Sequence, residues 1–292
     1  MPERRAVRAA PEERAEAPGR RAAPPGAVRE VASGGVRLVC RDRGGRGPGL
    51  LMLHGLAGHG GEWDDVARSL ADEHRVVTLD QRGHGASARR AADRQVDASR
   101  AAYTADVATV VRELGLAPVV LVGQSLGGHT AMLAAAAHPE LVRALVLVEA
   151  GPGGGRPGLP EEIRSWLDSW PAPFPSPEAA AEFFGGGPAG RGWADGLERR
   201  DGGWRPRFDP AFMVASVEEV SRRTYWDEWE RVSCPVLVIL AESGIVGPEE
   251  SRKMRRRAPG ARFVVIPDAG HDVHLEEPGR VAAAVRDFLT TC

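Results

Sequence analysis

The chain has 292 residues, enough to bury one sizeable core, and its formal net charge of −2 gives no long-range attraction to nucleic acid or an anionic membrane. Basic charge is almost all arginine, with Lys253 the only lysine, which reads as coding bias and not as a binding signature. Cys40, Cys234 and Cys292 are odd in number and far apart, so neither a disulfide framework nor a metal spacing follows; a reducing, cytoplasmic compartment is expected, and no apolar run is long enough to span a bilayer.

Residues 1–27 are rich in Arg, Ala, Glu and Pro and nearly free of large apolar side chains. They lack the surface to offset ordering entropy, and a disordered tail is expected. A signal peptide would need an apolar centre, and Glu3, Glu12, Glu13 and Glu16 argue against a transit peptide. Residues 28–31 and 35–42 read as an opening antiparallel hairpin turning at Ser33-Gly34-Gly35. The runs 50–53, 75–80, 117–122, 144–149, 235–241 and 262–266 are short, apolar and mostly unalternating, as strands buried on both faces are. Helical segments at 63–71, 101–114, 127–138 and 278–289 separate several of them. Strands alternating with helices give an α/β fold with a mainly parallel sheet and right-handed crossovers. Ligands in such sheets bind beyond the carboxyl ends of the strands.

The alternation breaks over 151–232. That interval begins with the flexible Gly151-Pro152-Gly153-Gly154-Gly155 and holds most of the aromatic side chains, Trp166, Trp170 and Phe183 among them. The expected organisation is a core made of 28–150 and 233–292 with 151–232 inserted. Gly185-Gly186-Gly187 and Gly202-Gly203 are expected to be loops that let the insertion move.

The most informative stretch is Val119-Val120-Leu121-Val122-Gly123-Gln124-Ser125-Leu126-Gly127-Gly128-His129. An apolar strand runs into Gly-x-Ser-x-Gly, and an alanine-rich helical segment follows, which is the setting that holds a serine up as a nucleophile. Side chains at positions 123 and 127 would collide with the neighbouring strand and helix. Three further strand ends carry motifs: His54-Gly55-Leu56-Ala57-Gly58, Asp80-Gln81-Arg82-Gly83-His84-Gly85, and Asp268-Ala269-Gly270-His271.

In this order the four motifs resemble the α/β-hydrolase superfamily, from about residue 35 to the C-terminus. Within it the chain is similar to the cofactor-free serine hydrolases: esterases, lactonases, carbon–carbon bond hydrolases and haloperoxidase-like enzymes. The resemblance implies an α/β-hydrolase fold with a helical cap at 151–232 and no cofactor or metal. It implies Ser125 as nucleophile and His271 as base, with His274 a nearby rival. The oxyanion hole falls to the N–H groups of Leu56 and Leu126. Gly55, His59, Trp166, Trp170 and Phe183 are expected to line the substrate pocket. His54, Asp80, Arg82 and His84 are expected to brace loops, and His129 to pack or to line the pocket.

The acid departs from the common pattern. Many members carry an aspartate after the strand that follows the cap, and here Gly244 stands in that slot. Glu149, at the end of the strand after the nucleophile helix, is the first choice for the role, and Glu242 the alternative. The expected activity is hydrolysis of a small-to-medium carboxylic ester, thioester or lactone through an acyl-enzyme. Carbon–carbon bond hydrolysis or perhydrolysis on the same scaffold, and a slow-turnover ligand sensor, stay open. The expected partner is a small molecule, with no nucleic acid or membrane, and the chain a monomer or homodimer.

Overall fold

The computed structural model describes residues 26–89 and 96–292. The expected tail therefore lies outside the described residues except for its last two, and Ala27 already opens the first strand. Strands β1 (Ala27–Ser33) and β2 (Val36–Asp42) form the opening hairpin. Next come β3 (Gly49–Leu53), a 3₁₀ turn (Gly60–Trp63), α1 (Asp64–Leu70) and β4 (Arg75–Asp80). Then follow α2 (Arg100–Glu113), β5 (Val119–Gln124), α3 (Leu126–Ala137) and β6 (Val142–Val148).

Between β6 and the next sheet strand the chain builds α4 (Leu159–Asp168), α5 (Pro177–Phe183), α6 (Gly187–Asp195), the ribbon β7 (Leu197–Arg200) and β8 (Gly203–Pro206), α7 (Pro210–Arg222) and α8 (Trp226–Arg231). The core resumes with β9 (Val236–Ser243), α9 (Pro248–Arg257), β10 (Arg262–Gly270), α10 (Val273–Glu276) and α11 (Pro278–Leu289).

The sheet has eight strands in the order β1-β2-β4-β3-β5-β6-β9-β10. The β1–β2 and β2–β4 pairs are antiparallel and the remaining pairs parallel. All six residues of β5 are buried, which explains why its sequence does not alternate. The two-residue period shows instead in which side each residue faces. Leu51, Leu121, Leu145 and Val238 belong to one apolar cluster, and Leu50, Met52, Val120, Val122 and Ile239 to the other.

Two elements differ from expectation. The insertion is not purely helical, because Asp201 and Gly202 both take positive φ (51° and 81°) and close the β7–β8 hairpin. Asp-Gly is the pair that such a turn favours. Helix α9 has only Met254 buried, so it carries no apolar period. Its readable signals are a proline in the first turn, Glu249 and Glu250 at the amino end and Arg255, Arg256 and Arg257 at the other, all complementing the helix dipole. The insertion sits over the carboxyl ends of the parallel strands: α6 packs against α10 and the 3₁₀ turn, and α8 against α3. Among the described residues no helix is long and apolar enough to cross a membrane.

Candidate active site

Ser125 stands between β5 and α3 with φ 50° and ψ −120°. A non-glycine residue in such a conformation costs on the order of 1–3 kcal/mol, and it persists only where its surroundings enforce it. Here they do. The Ser125 N–H donates to the Val148 carbonyl at 3.0 Å, and its own carbonyl accepts the His129 N–H at 2.9 Å. A Cβ at Gly123 would overlap the Gly127 and Gly128 backbone, and one at Gly127 would overlap the Leu53 and His54 carbonyls. The turn is thus shut tight enough to hold the hydroxyl outward.

Ser125 lines a cavity of about 920 Å³ between the sheet and the insertion. Leu56 and Leu126 also line it. Their N–H groups have no backbone or side-chain acceptor among the described residues. The Leu126 group opens α3, where the helix dipole favours negative charge.

The loop carrying Leu56 is held by two buried histidines. His54 Nδ1–H donates to the Gly55 carbonyl at 2.7 Å, and its Nε2 accepts the Gln81 N–H at 3.0 Å. His84 Nδ1–H donates to the Arg82 carbonyl at 2.8 Å, and its Nε2 accepts the Ala57 N–H at 3.1 Å. Each pattern needs a neutral ring. Burial, together with His84, holds His54 well below the usual histidine range, and burial pushes His84 down to about 4. Ala57 itself turns the loop at φ 61°. Asp80 braces the same region by accepting the Gly60 and Ala86 N–H groups at 2.6 and 2.8 Å. Arg82 forms a buried two-pronged pair with Asp106 at 2.7 and 2.6 Å.

His271 follows β10 and lines the cavity, its side chain one-third exposed. Its Nδ1 lies 3.7 Å from Glu149 Oε2, an ion-pair separation longer than a hydrogen bond. Glu149 is fully buried and takes φ 48° at the tip of β6. That turn carries its side chain across the end of β9, where the carboxylate accepts the Ala241 N–H at 2.7 Å and the Ile245 N–H at 2.6 Å. Gly244 explains the room: a Cβ there would overlap the Glu149 carboxyl group. A side chain in the common aspartate slot and the Glu149 carboxylate exclude each other. Glu242 is exposed and accepts the Asp268 N–H at 3.0 Å, and no hydrogen bond or ion pair joins it to His271 among the described residues.

Of the expected pocket residues, Gly55, Trp166 and Phe183 line the cavity. His59 does not. Its Nδ1 accepts the Gly61 N–H at 3.2 Å and its Nε2–H donates to the Gly192 carbonyl at 3.1 Å, so the ring ties the loop after β3 to α6. Trp170 lies beneath the lining, edge-on to Trp166, Phe184 and Phe208 at centroid distances of 5.0, 4.7 and 5.5 Å. Phe184 and Trp193 take the lining positions instead. Trp193 also donates its Nε1–H to Asp272 at 2.8 Å, next to His271. His129 lines the cavity too, edge-on to Tyr225 at 4.4 Å; burial, then Arg100 and Arg223, push it down to about 3. Gln124, which sequence reasoning passed over, touches His271 directly. Among the described residues no group of three or more His, Cys, Asp or Glu side chains is placed to hold a metal ion.

Comparison with known proteins agrees with this architecture. Residues 50–284 match the model of the "Alpha/beta hydrolase family". The sn-1-specific diacylglycerol lipase ABHD11 of Mus musculus is 30% identical over 264 residues, covering 83% of this chain and 81% of the lipase. Esterase Rv0045c of Mycobacterium tuberculosis is 30% identical over 262 residues, 85% of each chain. The crystal structure of E-2-(acetamidomethylene)succinate hydrolase superposes with a TM-score of 0.82 at 27% identity, covering 90% of this chain and 99% of that one. With a family model spanning most of its length, and relatives that are hydrolases by name, the chain is an enzyme of the alpha/beta hydrolase family.

Proposed function

We propose that the enzyme cleaves an uncharged carboxylic ester, thioester or lactone through an acyl-enzyme on Ser125. The observation that carries this reading is Ser125 itself, strained outward into the cavity that also exposes two N–H groups with no acceptor among the described residues. Ser125 Oγ attacks the substrate carbonyl carbon while its proton passes to His271 Nε2. The carbonyl oxygen becomes an oxyanion between the Leu56 and Leu126 N–H groups. Glu149 stabilises the imidazolium, and the 3.7 Å separation closes to a hydrogen bond as charge develops. The imidazolium returns its proton to the leaving oxygen or sulfur. A water then gives a proton to the same histidine and attacks the acyl carbon; the acyl–Oγ bond breaks, Ser125 Oγ takes that proton back, and the acid leaves.

The cavity wall supports an uncharged substrate. Trp166, Phe183, Phe184 and Trp193 make one end apolar. Among the described residues its charged lining beyond the proposed triad is Glu62, Glu162, Glu250 and Asp272 against one cation, Arg156, which is paired with Glu162. Burial pushes the Glu250 carboxyl above its ordinary range, so extra negative charge beside it is unfavourable. The E-2-(acetamidomethylene)succinate hydrolase, by name, takes a dicarboxylate. The carboxylate-rich wall here favours a different choice.

One observation keeps the slow-turnover sensor as a second reading: at rest His271 Nδ1 has no hydrogen bond and Nε2 is engaged by Gln124 rather than Ser125. A fluorophosphonate probe separates the two. A working hydrolase labels at Ser125 within minutes and turns over p-nitrophenyl butyrate, and Ser125→Ala loses about 10³-fold or more of that activity. A wild-type protein that neither labels nor turns over any ester or lactone of a broad panel ends the hydrolase reading.

A further inference from the structure

Gln124 is the last residue of β5, next to Ser125, and is 2% exposed. Its Nε2 lies 3.1 Å from the His271 carbonyl oxygen and 3.1 Å from His271 Nε2. A backbone carbonyl only accepts, so the end of the amide facing it is the NH₂ group. This fixes an orientation that amide atoms alone leave open. The NH₂ has a second N–H, and at 3.1 Å it points to the ring nitrogen. An N–H directed at Nε2 requires a lone pair there. The ring proton must then sit on Nδ1, facing Glu149. That is the one neutral tautomer in which a histidine base, oriented by a carboxylate, can take a proton at Nε2.

The position is built for this contact. Gln124 Oε1 occupies the space over Gly55 that a Cβ would fill. The amide is therefore wedged between the loop bearing Leu56 and the loop bearing His271.

We propose that Gln124 is a positioning residue that sets the tautomer of His271 and pins its loop. The inference rests on His271 being the base of the proposed reaction. When the Ser125 proton arrives at Nε2 the lone pair is used, and the Gln124 bond to the ring breaks. The bond to the His271 carbonyl remains and keeps the loop in register while the imidazolium forms.

The test begins with the resting wild-type enzyme and needs no substrate. With ¹⁵N-labelled histidine and glutamine, His271 Nε2 gives an unprotonated, and Nδ1 a protonated, nitrogen shift. A coupling across the hydrogen bond links Gln124 Nε2 to His271 Nε2. Gln124→Glu keeps the shape but turns the donor into an acceptor, which draws the ring proton onto Nε2. It loses about 100-fold or more in kcat with KM changed less than about threefold, and the nitrogen shifts exchange. Gln124→Leu, with neither donor nor acceptor, loses less. A role confined to packing predicts that Gln124→Glu behaves like the wild type. The proposal is overturned by a wild-type ring protonated on Nε2, by full activity in Gln124→Glu, or by lost activity with unchanged nitrogen shifts. Should Gln124→Glu fail to fold, the wild-type spectrum decides. Failure of fluorophosphonate labelling in the wild type would sink the hydrolase reading instead, and leaves the spectrum as an independent result.

Discussion

Two histidines three residues apart, His271 just after β10 and His274 in α10, each face a glutamate. His271 Nδ1 and Glu149 are separated by 3.7 Å, and His274 Nε2 and Glu62 by 3.6 Å. The first histidine side chain is 33% exposed and opens on the cavity, with Ser125 among the same lining residues. The second is 1% exposed, rests on Trp63 at a centroid distance of 4.6 Å, and faces a carboxylate that also accepts the His59 N–H at 3.3 Å. Separation alone therefore says nothing about catalysis. What differs is access to the cavity: one ring opens on the space that Ser125 also lines, and the other is a seal between the 3₁₀ turn and α10.

The comparison breaks most sharply by changing each acid to its amide. Glu149→Gln puts an NH₂ group where the imidazolium needs a negative charge, and loses about 10²- to 10⁴-fold in kcat/KM. Glu62→Gln leaves Ser125 and His271 untouched and changes kcat/KM by less than about tenfold. It lowers the melting temperature instead: one oxygen still accepts the His59 N–H, but the other becomes an NH₂ group sealed against the His274 ring, and any of its donors left unpaired costs about 1–3 kcal/mol. Ester turnover and thermal melts of both variants read the contrast. Equal activity losses would erase the distinction between the pairs.

A smaller effect comes from the space around Glu149. In Gly244→Ala the new Cβ overlaps the carboxyl group, so the acid is displaced while every catalytic side chain is still present. A loss of about 10²-fold is expected. Gly244→Asp combined with Glu149→Ala puts a carboxylate in the slot used by many relatives and regains part of that loss. If Gly244→Ala keeps full turnover, Glu149 is not held by the vacancy at this glycine.

Much of this was legible in the sequence, and the reasons for the rest are physical. The strands were readable because parallel strands buried on both faces are short and unbroken in their apolar character. The elbow was readable because Gly123 and Gly127 are needed by contact with backbone. Glu149 was suggested by Gly244 standing in the usual acid slot and by its own place at the end of the strand after the nucleophile helix. Its contact depends on the left-handed turn at φ 48°, which no residue pattern announces. Gln124 gave no signal, since a glutamine ending a strand is unremarkable until the His271 loop folds back onto it. His59 and Trp170 were misplaced because an aromatic or imidazole ring near a cavity serves equally well for lining it or for packing behind it.

His84 and His129 have no carboxylate within ion-pair distance among the described residues, and pH sharpens the contrast with the two pairs. His84 is held at about 4 and His129 at about 3, both by burial first, against about 6.5 in an unfolded chain. Between those values the unfolded state binds more protons than the folded one. Stability is therefore fully present above pH 6.5 and is lost as pH falls toward 4, and for His129 toward 3. The expected loss is about 1.4 kcal/mol per histidine for each pH unit inside that window. Melting temperatures at pH 7.5, 6 and 5 should fall in order, and His129→Phe should flatten the fall. A curve flat from pH 7.5 to 5 would show that these rings accept protons without unfolding.

The smallest effect belongs to the carboxylate nearest in sequence to the vacant slot. Glu242 lies two residues before Gly244, yet β9 carries it outward, where it accepts one exposed N–H from Asp268 at 3.0 Å. Glu242→Gln keeps an acceptor oxygen for that N–H, so the bond survives and only a solvent-exposed charge is lost. Exposed charges contribute little, within about 0.5 kcal/mol. Ester turnover within about twofold of wild type and a melting temperature within about a degree are expected. A loss approaching that of Glu149→Gln would mean that β10 shifts during turnover and brings Glu242 to His271. The roles assigned to the two strand ends would then have to be exchanged.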